Sequence, residues 1–271
     1  YCFFDKRTET FSDASTFFKN IGLSGYAESA FIDESKRLWL WYDGECYLYS
    51  FADSSLTHVE LYRSKTKDNG TLIDVVSTEK EVLLVFDDGA MYRLTSKAAK
   101  PMGSVERLKS PLQGGTHIAI IDSDDDYWVI THGSRGVWYY ERKADKWHFC
   151  TSDKNSYFVV DNMVASSICE DDKNCIWVAG DHDGISVIDK HTRNVVSLKS
   201  DKHDERSLIS DGVSCVYADA NNVMWVGYCT EGVSFYNESI YKISVDRLDF
   251  GPPATPPTPA PHRPPAPPPR P

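Results

Sequence analysis

Short apolar runs separated by polar turns recur along the chain, and within each run apolar and polar positions alternate with the period of two that is typical of β-strands. No amphipathic helical stretch of comparable strength competes with them. The runs form one repeating unit, in which an apolar strand, a short polar turn, an apolar strand with a large central residue, a glycine and a further alternating strand follow one another. The central residues, called anchors below, are Trp39, Leu83, Trp128, Trp177 and Trp225.

The anchors are 44, 45, 49 and 48 residues apart. This period is that of four-stranded propeller blades and is longer than those of leucine-rich, ankyrin and tetratricopeptide repeats. The sequence therefore predicts an all-β fold, a β-propeller of four-stranded blades. A tryptophan at the same place in four of the five repeats indicates packing between blades rather than a ligand platform.

Two further positions recur around the anchors. The side chain six residues before the anchor can accept hydrogen bonds from the backbone of the following turn, and this position holds Asp33, Ser77, Asp122, Asp171 and Asp219. Five to eight residues after the anchor a glycine is expected to supply a positive φ for the turn into the third strand, and these glycines are Gly44, Gly89, Gly136, Gly184 and Gly232.

The first residues match a later part of the repeat. Residues 1–11 superpose on 185–195 position by position, with Asp5 and Lys6 on Asp189 and Lys190. They are predicted to form the third and fourth strands of a blade. The prediction for residues 1–250 is thus five complete blades and one half-blade, a part of a seven-bladed propeller. The predicted boundaries are 1–19 for the half-blade and 20–65, 66–109, 110–155, 156–206 and 207–250 for the blades.

Residues 251–271 differ from the rest in composition. They contain twelve of the 14 prolines and no apolar side chain larger than alanine. Such a segment cannot offset its ordering entropy by burial, so a polyproline II or disordered tail is predicted. It is either a ligand for an SH3-like groove or a linker or non-native addition.

Charge and cysteine content narrow the function. With 29 Lys and Arg against 40 Asp and Glu, the net charge of −11 disfavours nucleic acid as a partner. No apolar stretch is long enough to span a membrane, and the start at Tyr1 without a leader suggests a piece of a longer protein. Seven cysteines form no metal or disulfide framework, so most are predicted to be buried thiols. Cys169 and Cys175 flank a turn, which leaves a disulfide between them open.

One segment carries a family resemblance. Its recurring positions are Ser207, Leu208, Val213, Asp219, Asn221, Asn222, Trp225, Gly227, Gly232, Ser234 and Tyr236. This pattern resembles the periplasmic propeller repeat of the hybrid two-component sensors of gut Bacteroides. The resemblance covers residues 1–250 and is weakest in 66–109, where Leu83 and Ser77 replace Trp and Asp. It implies a periplasmic sensor that recognises a glycan-derived oligosaccharide, forms a homodimer when intact, and signals to a histidine kinase that this chain lacks.

The candidate ligand-binding residues lie in loops between the second and third strands of the blades. In a propeller these loops and the connections between blades gather on one face. They vary between repeats, whereas the scaffold recurs. Trp41, two positions beyond its anchor, is predicted to be exposed there. The candidates are Trp41, Tyr42, Asp43, Asp88, His132, Arg135, His182, Asp183, Tyr228 and Glu231.

The sequence favours neither a metal site, a cofactor nor catalysis. The acids at 122–126 alternate as in a calcium loop, but Tyr127 and Gly133 stand where such a loop needs Gly and Glu, so an acidic turn is predicted. The eight histidines show no metal spacing, and no nucleophile elbow is present. A protein-interaction propeller and a propeller glycosidase or lyase remain alternatives to the oligosaccharide sensor.

Overall fold

The computed structural model describes residues 1–62, 70–95, 104–161 and 164–237. The chain begins with a two-stranded hairpin, the half-blade, formed by β1 (Cys2–Asp5) and β2 (Thr10–Asp13). The helix α1 (Ser15–Asn20) follows it. The predicted tail 251–271, and residues 238–250 of the last predicted blade, lie outside the described residues.

Five antiparallel sheets follow the helix. Blade 1 contains β3 (Ser29–Ile32), β4 (Arg37–Tyr42), β5 (Glu45–Ser50) and β6 (Ser55–Val59). Blade 2 contains β7 (Leu72–Ser77), β8 (Glu81–Phe86), β9 (Met91–Thr95) and β10 (Val105–Arg107). Blade 3 contains β11 (His117–Ile121), β12 (Tyr127–Thr131), β13 (Val137–Glu141) and β14 (Lys146–Cys150). Blade 4 contains β15 (Val164–Glu170), β16 (Cys175–Asp181), β17 (Gly184–Asp189) and β18 (Asn194–Leu198). Blade 5 contains β19 (Val213–Ala218), β20 (Met224–Tyr228) and β21 (Val233–Tyr236).

The sheets are arranged as the blades of a propeller. Strand order within each sheet follows the chain, and the first strands of successive blades contact one another in the series β3, β7, β11, β15 and β19. The apolar core lies between neighbouring sheets, with one cluster of buried side chains at each junction of blades 1 to 5. The helix α1 packs on blade 1 in a cluster that includes Phe18, Leu40 and Tyr49, and Phe3 of the half-blade packs edge-on against Phe17 of α1. The predicted all-β propeller of four-stranded blades is confirmed.

The anchors occupy equivalent positions in the second strands. Trp39 and Trp128 are 1% and 0% exposed, and Leu83 is fully buried in the same role. Trp225 differs, with 39% exposure, because its side chain points away from blade 4 on the last of the described sheets. Packing of the anchors between blades is therefore confirmed at the internal junctions.

The acid before each tryptophan has two roles. As predicted, its carboxylate accepts backbone N–H groups of the turn; in blade 3, Asp122 Oδ1 accepts from Asp124 and Asp126 at 3.0 and 2.9 Å. In addition, Oδ2 accepts the indole N–H of the anchor, at 2.8 Å from Trp128. The same indole bond recurs at 2.9, 2.8 and 3.0 Å from Trp39, Trp177 and Trp225. The carboxylate thus ties the turn to the anchor.

Blade 2 departs from this arrangement. Ser77 does not accept from its own turn; instead its hydroxyl oxygen accepts the backbone N–H of Glu34 in blade 1 at 2.8 Å. Thr78 Oγ1 accepts from the turn, from the amides of Lys80 and Glu81 at 3.2 and 3.3 Å. The turn-capping role predicted for Ser77 is therefore wrong, because the neighbouring threonine fulfils it.

The five predicted glycines all have positive φ, between 73° and 121°. Two of them provide a matched test. At Gly44 (φ 73°) a Cβ would have no atom within 4 Å, whereas at Gly184 (φ 75°) a Cβ would clash with the carbonyl oxygen of Leu198. We expect Gly44→Ala to cost about 1 kcal/mol from the left-handed conformation alone, and Gly184→Ala to cost about 1 to 3 kcal/mol more from overpacking. Denaturant unfolding measures both, and equal losses would contradict the predicted clash.

Candidate ligand-binding face

The loops between second and third strands lie at one end of the blades, called the upper face below. The connections between blades lie on the same face, since each fourth strand runs back towards it. Tyr42, at the end of β4, donates its hydroxyl proton to the carbonyl oxygen of Ser24 at 2.9 Å, and Ser24 precedes β3. Likewise, the backbone N–H of Gly184 donates to the carbonyl oxygen of Asp211 at 2.8 Å, which joins a loop of blade 4 to the segment that precedes β19.

The two aspartates of the loop between β8 and β9 accept hydrogen bonds from neighbouring backbone N–H groups. Asp88 Oδ2 accepts the backbone N–H of Gly70 at 2.9 Å, and its Oδ1 accepts that of Ala90 at 3.0 Å. Asp87 Oδ1 accepts the N–H of Thr71 at 2.8 Å. Both carboxylates therefore fix the entry into blade 2, which limits what the predicted candidate Asp88 can offer a ligand.

Other candidates on this face are well exposed. His182 has a side chain that is 85% exposed, and its Nδ1 lies 2.7 Å from a carboxylate oxygen of Asp181. Asp43 projects from a two-residue turn with Gly44, where both residues have positive φ and the turn matches the twist of the flanking strands. The exposed candidates are Asp43, His132, Arg135, His182 and Glu231, with Tyr42, Asp88 and Asp183 half-buried.

Two candidates point inward. Trp41 is 4% exposed and packs edge-on against Phe86 of blade 2, with ring centroids 5.1 Å apart. Its predicted exposure is wrong because Trp39 and Trp41 are two positions apart in β4 and so face the same neighbouring blade. Tyr228 is 6% exposed, and its hydroxyl oxygen lies 2.8 Å from Ser234 Oγ and accepts the N–H of Ile209 at 3.3 Å. Neither ring is available to stack on a ligand.

Two exposed aromatic residues of this face come instead from the connections between blades. Tyr26, just before β3, is 47% exposed, and Tyr62, just after β6, is 78% exposed. The Tyr26 hydroxyl donates to the carboxylate of Asp13 at 3.0 and 3.1 Å. The repeat pattern did not single them out, because the connections vary in length and composition between blades.

The opposite end of the blades, the lower face, carries the acidic run at 122–126. Its cation is internal: Lys190 Nζ, from the hairpin between β17 and β18, lies 2.6 Å from Asp122, 2.7 Å from Asp124 and 3.6 Å from Asp126. The Lys190 side chain is 5% exposed. Tyr139 donates its hydroxyl proton to Asp126 at 2.7 Å. The calcium-like acids thus form a turn whose charge is partly balanced by a lysine of the next blade.

The charges of this cluster shift the proton affinities of its members. The hydrogen bond from Lys190 holds the pKa of Asp124 below its usual range, although partial burial acts in the opposite direction. Burial by itself would lower the pKa of Lys190, but the hydrogen bonds from its ammonium group to Asp122 and Asp124 raise the pKa above its ordinary value. Both shifts favour the ion pair.

A similar ion pair joins blades 2 and 3. Arg142, at the position of Lys190 in the hairpin of blade 3, donates two hydrogen bonds to Glu81 at the start of β8 in blade 2, at 2.9 and 2.6 Å. Glu81 also accepts from the hydroxyl of Tyr127 at 2.8 Å and is 2% exposed. In both junctions, therefore, a cation in the third hairpin of one blade forms ion pairs with acids in or next to the first turn of the preceding blade. We call this contact the blade latch.

The cysteines are free thiols. Cys169 pairs across the sheet with Trp177 and Cys175 with Asp189, so they are not opposite each other. Only Cys46 and Cys150 are buried, whereas Cys2, Cys215 and Cys229 are exposed. The prediction that most cysteines fill buried strand positions is therefore wrong, because the exposed ones lie on the half-blade and on blade 5, at the two ends of the series.

Two other kinds of feature are absent from the described ranges. No group of three or more potential metal-ligating side chains occurs there, and none of the helices in these ranges is long and apolar enough to cross a membrane. A pocket of about 160 Å³ lies on the lower face between the turns of blades 4 and 5, with Asp171, Asn221 and Tyr236 in its wall. It is smaller than the roughly 300 to 1,000 Å³ of common small-molecule sites.

Comparison with solved structures shows which known folds this chain resembles. The extracellular domain of BT4673 from B. thetaiotaomicron, described as a hybrid two component system, superposes with a TM-score of 0.57 at 16% identity, over 87% of this chain and 30% of that one. The β-propeller domain of Cps50 (Swd1) from Myceliophteria thermophila superposes with a TM-score of 0.52 at 9% identity, over 78% of this chain and 66% of that one. A chain of the mitotic checkpoint complex superposes with a TM-score of 0.57 at 10% identity, over 88% of this chain and 70% of that one.

These likenesses define a β-propeller. In fold, the chain resembles extracellular domains from B. thetaiotaomicron, one of them described as that of a hybrid two component system, as the repeat pattern suggested. It spans 30% of the length of those domains. No family model and no curated protein matches the sequence.

Proposed function

We propose that this chain is part of the ligand-sensing propeller of a hybrid two-component signalling protein and that its upper face recognises a glycan-derived oligosaccharide. The observation that carries the proposal is the contrast between the repeating scaffold and the loops on that face. Each blade repeats its turn, anchor and glycine, whereas its second loop presents different exposed side chains, among them Asp43, Arg135 and His182. A rigid repeat that displays variable loops is a common basis for a binding surface.

The chemistry of the exposed side chains suits hydroxylated ligands. Carboxylates such as those of Asp43 and Glu231 can accept two hydrogen bonds from neighbouring hydroxyl groups, and Arg135 donates in a planar fork. Tyr26 and Tyr62, with 47% and 78% exposure, add apolar ring faces of the kind that pack on sugar rings. Trp41 and Tyr228 have no part in this site because both are buried.

The signalling part of the proposal concerns segments beyond this chain. The fold likeness to extracellular domains of two-component systems supports a sensor role outside the cytoplasm, and the periplasm is the compartment proposed. The output would be a histidine kinase that this chain does not contain. A ligand would act by binding one arrangement of the sensor more tightly than another.

The proposed site can be tested by comparing two exposed glutamates. Oligosaccharides are screened by thermal shift, and the affinity of one that binds is measured by calorimetry for the wild type, Glu231→Gln on the upper face and Glu79→Gln on the lower face. We expect Glu231→Gln to weaken binding about tenfold, since a hydrogen bond to a charged group contributes about 1.5 to 3 kcal/mol and an exposed one less. Glu79→Gln is expected to bind as the wild type does.

Other outcomes would favour the alternatives. Hydrolysis or elimination of a sugar in the screen would indicate a glycosidase or lyase. Absence of binding to every oligosaccharide, together with capture of a protein partner that is lost in Glu231→Gln, would indicate an interaction propeller. Equal effects of the two glutamate substitutions would contradict the assignment of the upper face.

A further inference from the structure

The outer rim of blade 3 carries a cluster of aromatic rings on the side that faces blade 2. The ring centroid of Trp138 lies 4.6 Å from that of Phe149 and 6.5 Å from that of Trp147. Phe149 is 39% exposed, and the two tryptophans are half-buried at the edge of the core between blades 2 and 3. We call these three residues the rim cluster. Its exposure does not come from an end of the chain, because blades 2 and 4 flank blade 3.

At the next junction the chain itself covers the corresponding rim. There the connection that follows β14 places Phe158, which is 1% exposed, in the core between blades 3 and 4. Its neighbour Tyr157 packs on His148, with ring centroids 3.9 Å apart. At the junction between blades 2 and 3, the connection contributes Leu108 and Leu112 to the core. Phe149 remains exposed beside them, so this rim offers rings on which another segment can pack.

The rim of blade 2 that faces the cluster is charged. Arg93 and Glu106 pair across β9 and β10 and form an ion pair. The hydrogen bonds from Arg93 go to Oε2 of Glu106, whose side chain is 55% exposed, so its Oε1 can accept a further one. The charges of both residues act on the pKa of Tyr140 in blade 3, which burial raises to about 12. The two rims therefore face each other.

A second carboxylate lies at the lower end of the rim cluster. Asp145 is exposed, and its Oδ1 accepts the hydroxyl proton of Tyr140 at 2.7 Å. The Tyr140 ring is in turn 4.9 Å from that of Trp147. The cluster thus has an exposed acid on each side, Glu106 across the junction and Asp145 below. Aromatic rings in a groove are the surface on which polyproline II segments dock, and the acids suit a ligand with positive charges.

The tail 251–271 has the composition of such a ligand. It contains twelve prolines, two arginines and no acid, and it ends in a PxxP pattern followed by arginine, Pro265 to Arg270. A polyproline II backbone is already extended, so it loses little entropy when it docks. Residues 252–271 can span about 60 Å in this conformation. Blade 4 alone lies between blade 5 and blade 3, and packed sheets are about 10 Å apart, so the tail is long enough to reach the cluster.

We propose that the proline-rich tail of this chain docks on its own rim cluster. Its proline rings pack on Trp138, Trp147 and Phe149, and its arginines pair with Glu106 and Asp145. Charge favours the contact, since the tail is positive and the chain as a whole has a net charge of −11. Because the tail is tethered, its effective concentration at the cluster is on the order of millimolar, so a weak contact suffices to hold it.

The order of the tail amides measures docking in the full chain. NMR relaxation gives the order parameter of the backbone amides of Arg263, Ala266 and Arg270. We expect order parameters above about 0.6 in the wild type and in Val196→Ser, a control on the exposed outer strand of blade 4. Order parameters below about 0.6, typical of a flexible chain, are expected in Phe149→Ser and in the double variant Arg263→Glu/Arg270→Glu. Circular dichroism melting checks that Phe149→Ser is folded, and the double variant changes the tail alone.

A labelled peptide of residues 252–271 tests the same contact by fluorescence anisotropy. In the double variant Arg263→Glu/Arg270→Glu the cluster is expected to be open, so this chain should bind the peptide at least about tenfold more tightly than the wild type, whose own tail competes. Addition of Phe149→Ser to the double variant is expected to weaken peptide binding at least about tenfold, as for loss of an aromatic anchor. Addition of Val196→Ser is expected to leave it unchanged.

Three results would overturn the proposal. Order parameters below about 0.6 for the tail amides of the wild type would show that the tail does not dock. A tail that stays ordered in Phe149→Ser would be held by a surface other than the rim cluster. An ordered tail that becomes flexible on dilution from about 500 µM to about 50 µM would bind a second copy and not its own chain.

Discussion

Truncation of Trp128 to alanine is expected to lower the free energy of unfolding by about 3 to 5 kcal/mol, the cost of removing a fully buried aromatic side chain. Trp128 is 0% exposed and contacts Tyr139 and Phe158, with ring centroids 4.5 and 5.4 Å away. The substitution also deprives Asp122 of the indole hydrogen bond at 2.8 Å. Denaturant unfolding measures the loss.

Trp225→Ala is the matched control. This residue has the same place in its blade and the same hydrogen bond to an aspartate, but it is 39% exposed. Its substitution is expected to cost about half as much, since less apolar area leaves water on folding. Trp128→Phe retains most of the packing but removes the hydrogen bond to the buried carboxylate of Asp122, and it is expected to cost about 1.5 to 3 kcal/mol. Equal losses for Trp128→Ala and Trp225→Ala would show that burial between blades is not what the anchor contributes.

The fold could be predicted from the sequence because its information is local and repeated. The anchor, the acid before it and the glycine after it are separated by fewer than ten residues in each unit, and each has a role that its chemistry dictates within one hairpin. Trp41 shows the limit of that reasoning. Alternation along β4 places Trp41 on the face of Trp39, so it is buried although it lies next to a loop.

The blade latch could not be predicted in the same way. Asp122 and Lys190 are 68 residues apart, and neither the spacing of the acids nor the lysine itself indicates that they meet. Only the angle and register between two blades bring them together. For this reason the acids at 122–126 resembled a loop for an external cation in the sequence, whereas in the structure the chain supplies the cation itself.

The candidate ligand-binding face could be predicted from the sequence only in part. Its position followed from topology, since second loops and connections must share one end of the blades. Which side chains are exposed there did not follow. Tyr228 is 6% exposed because its hydroxyl group is satisfied internally, by Ser234 and by the amide of Ile209. Tyr62, at 78% exposure, comes from a connection that no repeat pattern describes.

Removal of the Lys190 ammonium group is expected to be the most damaging change of a single charge. Lys190→Met retains the length of the apolar stem but leaves Asp122, whose side chain is 0% exposed, without its cation. Removal of one partner of a buried ion pair costs about 3 to 5 kcal/mol. The lower end is expected here, because Asp124 is 39% exposed and can be hydrated.

Lys80→Met is the control for this substitution. Lys80 also joins two blades, at 2.8 Å from Asp125, but its side chain is 70% exposed. An exposed pair of this kind contributes about 0 to 1 kcal/mol. Denaturant unfolding of both variants at neutral pH is therefore expected to separate a buried latch from a surface ion pair. Similar losses would mean that burial of Lys190 does not determine its contribution.

The pH dependence of unfolding tests the same latch independently. In the folded chain the pKa of Asp124 is lowered, first by the hydrogen bond from Lys190. Its contribution is therefore present above the ordinary aspartate pKa of about 4 and is lost as the pH falls through the lower folded value. Glu170, whose pKa is raised by burial, and His191, 3.8 Å from Asp124, also lie near the cluster and are present in both proteins. The stability difference between wild type and Lys190→Met is thus expected to narrow between about pH 5 and pH 2. A difference that stays constant over this range would show that the lysine stabilises the junction by its apolar stem and not by its charge.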